Sequence, residues 1–243
     1  MSDTIINITC CYNPASGSQK ARDRLSGADS AEWLEKAVNH YGKRYGLPLM
    51  VSISGFPGIA LTEGGRERDA YYRIFNLCRF MPTASNPSHQ LGASLTMKMG
   101  MEYAAASGFT YMVQTAEDLI PRKGSLEAKI EAIRGGYDFV GGIGDLDLPS
   151  MPSDQHQWIN QQGPRLIGAG CQLFACRVSA FAYSWDAGIV RDCIEIHMGN
   201  FISRLKYLSL PEEYEHTHNL GEWLRFEERY HEGRFPLSRF GAV

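Results

Sequence analysis

A stretch in the middle of the chain, residues 86–121, constrains the fold more than any other part of the sequence. Its centre predicts a helix over Leu95–Ser107, because apolar residues recur there at helical spacing. The residues that share one face of this helix are Leu95, Met99, Tyr103 and Ala106. Gly108 then ends the helix, since glycine adopts a left-handed cap without steric penalty. The polar, glycine-containing segment 86–93 is predicted to be the loop that leads into it.

Two acidic residues follow this helix at the end of a short apolar run. Phe109–Val113 is rich in β-forming residues and predicts a strand, and Glu117 and Asp118 stand where that run stops. In an open α/β sheet, ligands bind at the carboxyl edge of the strands. The sequence therefore places two carboxylates where such a fold binds its ligands.

The N-terminal part of the chain predicts a β-loop-α-β unit. Ile5–Cys11 is a β-branched run that ends just before a proline, so Tyr12 and Asn13 are expected in the loop at the carboxyl end of that strand. An amphipathic helix over 29–45 and an apolar strand over 47–54 follow. Because a helix joins the two strands, we expect them to pair in parallel through a right-handed crossover.

The remaining segments predict further helices and strands. Residues 62–73 are a loop or the start of a helix, and residues 74–81 are a short strand or a helical turn. Ser125 is predicted to cap a helix that Gly135 and Gly136 end. The other predicted segments are a strand at 137–143, a long polar loop at 144–164 and a strand at 166–176.

Composition and charge exclude several classes of protein. With 243 residues and 44% hydrophobic content, the chain can bury a full core, and its net charge of −3 gives no general attraction to nucleic acid or acidic membranes. No apolar run reaches the ~18 to 20 residues that a membrane span needs, and the first residues lack a secretory signal. We therefore expect a soluble, cytoplasmic protein. Its six cysteines form no CxxC pair and are predicted to be small buried hydrophobes.

Four short motifs, taken in order, resemble a known family. They are Tyr12-Asn13-Pro14, Asn86-x-x-His89-x-x-Gly92-Ala93, Ala116-Glu117-Asp118, and Gly168-Ala169-Gly170 leading to Phe174 and Arg177. Their order is similar to that of the GT-A fold glycosyltransferases, especially glycosyltransferase family 2, over residues 4–200. The resemblance implies an α/β, GT-A-like (Rossmann-like) fold: a mixed, mainly parallel sheet flanked by helices in a single domain. Its nucleotide-sugar-binding half would cover residues 1–140 and its acceptor-binding half residues 141–243.

The same resemblance implies a metal site. Family members transfer a sugar from a nucleotide sugar, here expected to be a UDP-sugar, with Mn²⁺ or Mg²⁺ bridging the diphosphate and an acidic DxD motif. Asp118 matches the last acid of that motif and would be a metal ligand, whereas Ala116 stands in place of the first acid. Glu117 would restore part of the lost charge. Alternatives are a solvated acidic turn, or a metal site at Asp145 and Asp147, which have DxD spacing in a predicted loop.

Further residues match positions that contact the nucleotide sugar in the family. Tyr12 and Asn13 would contact the base and ribose, and Asn86 and His89 would line the pocket for the diphosphate or sugar. Ser54 ends the second strand where the family usually has an acid, so that contact is not carried over. The alternative for each pair is an ordinary surface turn.

On the acceptor side, the resemblance implies a carboxylate that acts as general base. The family's Glu-Asp pair is absent; Glu195 lies nearest its expected spacing, and Asp192 is the second choice. The two would share a face of a helix predicted over 189–201, and the alternative is a solvated helix face. Some members add a late histidine to the metal shell, for which His218 is preferred to His216, because only one of two alternating residues faces the site.

Three functions are consistent with these residues. The first is a metal-dependent, inverting glycosyltransferase whose partners are a nucleotide-sugar donor and a saccharide, protein or small-molecule acceptor. The second is sugar transfer to hydroxymethylated bases in DNA, aided by basic residues such as Arg204 and Lys206. The third is a nucleotide-sugar-binding protein without catalysis, since the first acid of the motif is missing.

Overall fold

The computed structural model describes the chain in eight stretches. These are residues 2–11, 27–55, 66–82, 89–145, 167–182, 184–185, 194–210 and 214–216. Within them the strands are β1 (Thr4–Cys11), β2 (Leu49–Ser54), β3 (Arg79–Pro82), β4 (Tyr111–Ala116), β5 (Leu119–Pro121), β6 (Phe139–Asp145), β7 (Ile167–Arg177), β8 (Tyr207–Ser209) and β9 (Tyr214–His216). The helices are α1 (Gly27–Tyr45), α2 (Arg66–Leu77), α3 (His89–Ala106), α4 (Ser125–Arg134), α5 (Val178–Phe181) and α6 (Ile194–Ile202).

Seven of the described strands form one mixed sheet in the order β3-β2-β1-β4-β7-β6-β8. β7 runs antiparallel to its neighbours β4 and β6, and the other pairs are parallel. Because β1 lies between β2 and β4, the chain crosses back over the sheet after β3 before it adds β4. Such a reversal is a topological switch point, and in open α/β sheets ligands bind beside the carboxyl ends of the strands there.

Helices cover both faces of this sheet. α1, α2 and α4 pack on one face, and α3, α5 and α6 on the other. The buried helical residues on the first face are Ala31, Leu34, Ala37, Val38, Tyr41, Tyr71, Ile74, Leu126, Ile130 and Ile133. Those on the second face are Met97, Met101, Ala104, Val178, Phe181, Ile194, Met198 and Ile202. The strands contribute alternate residues to the two layers, which is why β1, β2 and β4 carry apolar side chains on both faces.

A buried polar network crosses three strands on the α3 face. Asn7 Nδ2 donates to Gln114 Oε1 at 2.9 Å, and Ser52 Oγ donates to Asn7 Oδ1 at 2.8 Å. Gln114 Nε2 donates to Thr9 Oγ1 at 2.8 Å. A buried amide left unpaired costs about 1–3 kcal/mol. The network therefore disfavours any other register of β1 against β2 and β4.

The structure confirms the predicted fold class, a mixed, mainly parallel sheet flanked by helices. The first strand, the helix that follows it and the second strand lie close to their predicted bounds, and β1 and β2 pair in parallel. Gly108 ends α3 with a φ of 78°, as the sequence indicates. The division into a donor half and an acceptor half stays a prediction.

Several predicted boundaries were wrong. The segment predicted to be a short strand or a helical turn, 74–81, is divided: its first residues complete α2, and the strand begins only at Arg79. α3 begins at His89, so the end of the predicted loop is helical, and its fully buried positions include Met97 and Met101 rather than Leu95 and Met99. α3 has apolar residues on two faces, and their spacing in the sequence does not show which face is buried. The sheet packs against one of these faces.

Two further corrections concern residues named for their chemistry. Ser125 is the first residue of α4 and not its cap: the cap is Gly124 with a φ of 88°, and the Ser125 hydroxyl accepts a hydrogen bond from Lys129 at 3.2 Å. Asp145 is the last residue of β6, paired with Ile167, rather than a loop residue. Asp147 and the rest of the predicted loop lie outside the described residues.

Two exclusions drawn from the sequence bear on the described residues. Among them, no helix combines the length and hydropathy that crossing a bilayer requires. Cys10 and Cys176 are buried thiols, and burial raises the pKa of the half-buried Cys78 to about 12. The prediction that the cysteines are small buried hydrophobes is thus confirmed for Cys10 and Cys176.

Replacing Gly100 by alanine tests the polar network. A Cβ at this position would lie 2.2 Å from Asn7 Nδ2 and 2.7 Å from Asn7 Cγ, so α3 or the amide must move. We expect Gly100→Ala to lower the free energy of unfolding by about 1–3 kcal/mol, measured by urea denaturation. The control is Gly42→Ala in α1, where the new methyl meets only the flexible end of Leu49 at 3.3 Å. Equal unfolding midpoints for the two variants would contradict the role given to Asn7.

Candidate functional site

The acid turn, defined as Glu117 and Asp118 between β4 and β5, lies at the switch point. It directly follows the last residue of β4, and the backbone N–H of Glu117 donates to the carbonyl of Thr9 in β1 at 3.3 Å. β1 and β4 are parallel, so their carboxyl ends lie side by side at this edge. Asp118 is only 6% exposed. The sequence prediction that two carboxylates stand at the carboxyl edge is confirmed.

One side chain holds the acid turn from the α1 face of the sheet. Tyr41 is fully buried; its hydroxyl donates to the carbonyl of Leu119 at 2.8 Å and lies 2.6 Å from Thr115 Oγ1. Since the Tyr41 proton is used on Leu119, Thr115 is the donor in the second contact. One hydroxyl thus joins the residue two before Glu117 to the residue just after Asp118. This closes the turn across its base.

The polar network holds the same turn from the α3 face. The carbonyl of Thr115 accepts hydrogen bonds from Thr9 Oγ1 and from Gln114 Nε2, both at 3.1 Å. The last peptide groups of β4 are therefore fixed from both faces of the sheet. A carboxylate that follows such a segment is rigidly aimed, which favours binding of a ligand in one geometry.

A small second sheet extends the acid turn on its other side. β5 begins immediately after Asp118 and pairs antiparallel with β9, where Leu119 lies opposite His216. His216, the first of the two late histidines, lies in an extended strand, as predicted, and the backbone of this strand pairs with the residues that follow the acid turn. His218, the preferred metal ligand, lies outside the described residues.

The beginning of α3 lies at the same edge as the acid turn. α3 joins the parallel strands β3 and β4, so it must start at the carboxyl edge and end at the opposite, amino edge. His89 is its first residue and therefore belongs to the site's rim. Tyr12, Asn13 and Asn86 lie outside the described residues, although β1 ends at Cys11, one residue before the first of them.

The proposed base Glu195 lies in the first turn of α6, half-buried. α6 packs on β7 and leads into β8 at the amino edge of the sheet. Glu195 precedes the last residue of α6 by seven positions, so it lies about 10 Å along the helix axis from that end. Trp185, earlier in the same connection, donates its indole N–H to Ser94 near the start of α3 at 3.1 Å. This bond brings the second half of the chain to the rim, whereas Asp192 lies outside the described residues.

The described residues do not form a complete metal site by themselves. Among them, no group of three or more histidine, cysteine, aspartate or glutamate side chains converges on one point. The acid turn offers two carboxylates in sequence. A cation there would need further oxygen ligands, which a bound diphosphate can supply.

Sequence reasoning missed two residues that hold the acid turn and a third that lies on the strand beside it. The amphipathic spacing over 29–45 predicts only that Tyr41 is an apolar position of the helix, and it says nothing about what the hydroxyl contacts. Gln114 and Gln172 are both amides inside strands that are otherwise apolar. A polar residue in the middle of a buried strand was the available signal, since such a residue needs a partner.

No family model and no curated protein sequence matches this chain. Its fold is similar to those of several solved structures. One is 4-diphosphocytidyl-2C-methyl-D-erythritol synthase from Anaerococcus prevotii DSM 20548, with a TM-score of 0.54, 11% identity and coverage of 95% of this chain and 97% of that one. Two others are UDP-glucose pyrophosphorylase complexed with UDP-glucose and CMP:2-keto-3-deoxy-manno-octonic acid synthetase complexed with CTP. Each of these two has a TM-score of 0.50, 9% identity and coverage of 96% and 100%. At these identities the likeness establishes the fold alone.

Replacing Tyr41 by phenylalanine tests how the acid turn is held. Removing the hydroxyl takes a donor from Leu119 and an acceptor from Thr115, so we expect a loss of about 1–3 kcal/mol in unfolding free energy. Hydrogen exchange of the backbone amides of residues 115–119 should accelerate. Tyr103→Phe on α3, where the ring packs under Arg79, is the matched control and should change neither quantity. Unchanged exchange in Tyr41→Phe would show that the turn is held by other contacts.

Proposed function

We propose that this protein is a glycosyltransferase that moves a sugar from a nucleotide-sugar donor to an acceptor hydroxyl. The observation that carries the proposal is the acid turn, fixed at the switch point by contacts from both faces of the sheet. A diphosphate is strongly negative, so carboxylates can face it only through a cation. In nucleotide sites Mg²⁺ is held by one or two carboxylates together with substrate phosphates, and Mn²⁺ favours the same oxygen ligands. Two acids in one turn fit such a site.

The similar folds support a nucleotide as the ligand. Two of the solved structures are complexes, one with UDP-glucose and the other with CTP. Fold alone does not fix an activity, so the proposal rests on the acid turn and takes from these structures only the class of ligand. In this proposal Asp118 is the metal ligand, Glu117 adds charge, and His218 completes the shell from the segment that follows β9. Once bound, Mn²⁺ or Mg²⁺ would neutralise the charge that gathers on the departing diphosphate.

The remaining predicted residues take roles on either side of this centre. Tyr12 and Asn13, just beyond β1, would contact the nucleotide base and ribose. The positions at the start of α3, Asn86 and His89, would line the donor pocket. Glu195 would remove the proton from the acceptor hydroxyl as its oxygen bonds to the anomeric carbon and the bond to the diphosphate breaks, which inverts the configuration. Asp192 is the alternative base.

Nucleotidyl transfer is a second candidate, and the names of the similar structures favour it. They are a diphosphocytidyl synthase, a pyrophosphorylase and a CMP synthetase. The two reactions release different products. A glycosyltransferase releases a nucleoside diphosphate or monophosphate from a nucleotide sugar, whereas a nucleotidyltransferase releases pyrophosphate from a nucleoside triphosphate and a sugar phosphate. Incubation of the protein with each substrate set, followed by detection of the released phosphate species, separates the two candidates.

The DNA acceptor gains no support from the described residues. Arg204 and Lys206 lie between α6 and β8 at the amino edge of the sheet, and Lys206 Nζ stands over the ring of Tyr137 at 5.0 Å. The acid turn is at the opposite edge. These two residues therefore lie across the sheet from the acid turn, and the DNA acceptor stays a prediction.

A thermal-shift screen of UDP, GDP and CDP, each with and without Mn²⁺, tests the metal-dependent nucleotide site. At one hundred times its Kd a ligand stabilises the native state by about 2.7 kcal/mol, which should raise the Tm of the wild-type protein by about 5–10 °C. Asp118→Asn keeps the size of the side chain and removes its charge, so we expect it to abolish the Mn²⁺-dependent part of the shift. Glu131→Gln, an exposed acid on α4, is the control. An undiminished Mn²⁺ effect in Asp118→Asn would place the cation elsewhere.

Replacing Glu195 by glutamine tests the base. A general base contributes about 10²- to 10⁴-fold, so we expect kcat for sugar transfer to fall by that factor while the nucleotide Kd stays unchanged. The pH dependence of kcat should lose its acidic limb. Glu102→Gln, an exposed acid on α3, serves as control. Full activity of Glu195→Gln would shift the role to Asp192.

A further inference from the structure

Gln172 in β7 carries an amide oxygen whose hydrogen bonding is incomplete. Its Oε1 is buried, and it has no hydrogen-bond partner among the described residues. Buried polar atoms in native proteins are paired almost without exception, and each exception needs an explanation. The position of Gln172 in the sheet supplies one.

Gln172 lies in an irregular part of β7 beside the carboxyl end of β4. The pairing of β7 with β4 reaches Gln114 opposite Phe174, two residues from Gln172. The pairing of β7 with β6 is irregular at the same level. Gly141 pairs with Phe174, but the next paired residue of β6, Ile143, pairs with Ala169, so β7 has extra residues between these two pairs. Bulges of this kind re-aim side chains and are common beside active sites.

Gln114 provides a comparison with the same side chain on the neighbouring strand. Its Oε1 accepts from Asn7, and its Nε2 donates to Thr9 and to the carbonyl of Thr115. Both ends of that amide are used by the fold. The Gln172 oxygen, two residues past the partner of Gln114, is not used by the described residues of the fold. A donor group on a bound ligand would complete the hydrogen bonding of this oxygen.

The chemistry of the free atom restricts what that group is. An amide oxygen accepts hydrogen bonds, so its partner must donate one. Phosphate oxygens only accept, which excludes the diphosphate. A divalent cation is better served by the carboxylates of the acid turn. A hydroxyl group meets the requirement and can also accept from the amide nitrogen.

The order of strands decides which hydroxyl this is. β4 lies between β1 and β7, so the acid turn separates the β1 side from the β7 side. A nucleotide bound beyond β1, with its diphosphate at the acid turn, directs its sugar toward β7. We propose that Gln172 binds a hydroxyl of the transferred sugar and discriminates a nucleotide sugar from the bare nucleoside diphosphate. This inference rests on the proposed donor site and adds a residue that selects the sugar.

The test compares Gln172→Met with Gln114→Met. Both replace an amide by an unbranched apolar side chain of similar length. Because the Gln172 oxygen has no donor to lose, we expect its variant to keep the wild-type Tm without ligand, or to exceed it. Gln114→Met strips partners from Asn7 and Thr9 and should lower the Tm. A loss of Tm in Gln172→Met as large as that in Gln114→Met overturns the proposal, because the oxygen would then be structural.

The binding arm uses UDP and UDP-glucose, or the matching pair for whichever nucleotide stabilises the wild type most. We expect Gln172→Met, and Gln172→Ala as a second variant, to keep the Kd for the nucleoside diphosphate and to weaken the Kd for the nucleotide sugar 3- to 10-fold, as loss of one hydrogen bond predicts. Unchanged sugar preference in both variants overturns the role of Gln172 and leaves the donor site intact. A wild-type protein that binds no nucleotide overturns the donor site, and the sugar contact with it.

Discussion

The parallel pairing of β1 with β4 is the constraint on which the rest of the structure depends. Its register is fixed by the hydrogen bond from Asn7 to Gln114 at 2.9 Å, made inside the protein where neither amide can turn to water. A slip of one residue between the two strands would place the two amides on opposite faces of the sheet and break this bond. Because Ser52 completes the same network, β2 shares the register. The carboxyl ends of three strands are therefore held in a fixed position relative to one another at the switch point.

The geometry of the acid turn is a property of the whole fold. Tyr41 and Thr115 are 74 positions apart in the chain, and Thr9 and Thr115 are 106 apart, yet all three meet at the base of the turn. No local sequence preference creates these contacts. The turn acquires its shape only when α1 and β1 have packed against β4. This explains how two consecutive acids, which in an isolated peptide form a solvated turn, here form a fixed turn in which Asp118 is buried and Glu117 is half-buried.

The sequence predicted the parts of this site that follow from hydrophobic periodicity and from the residues that end helices and strands. The apolar runs located β1, β2 and β4, and Gly108 ended α3 in the position where its φ of 78° requires glycine. The acids after β4 were assigned to the carboxyl edge because strand, helix and crossover rules determine that edge. Periodicity failed where segments were short: four-residue β3 and three-residue β5 carry too few residues to show a pattern. It also failed for Ser125, since Gly124 adopts the left-handed conformation that makes a side-chain cap unnecessary.

The hydrogen-bond partners of a buried polar side chain indicate whether its role is structural or functional more clearly than its residue type does. Gln114 and Gln172 are the same amide on adjacent strands, and both interrupt apolar sequence. The first has a partner on each end and explains the register of the sheet, so nothing about it requires a ligand. The second has a buried oxygen without a partner among the described residues. Each of the two places a polar group in a layer where an apolar one would pack, and burying that group has a cost in free energy. Gln114 recovers that cost within the described fold, whereas the proposed sugar contact would supply the partner of Gln172.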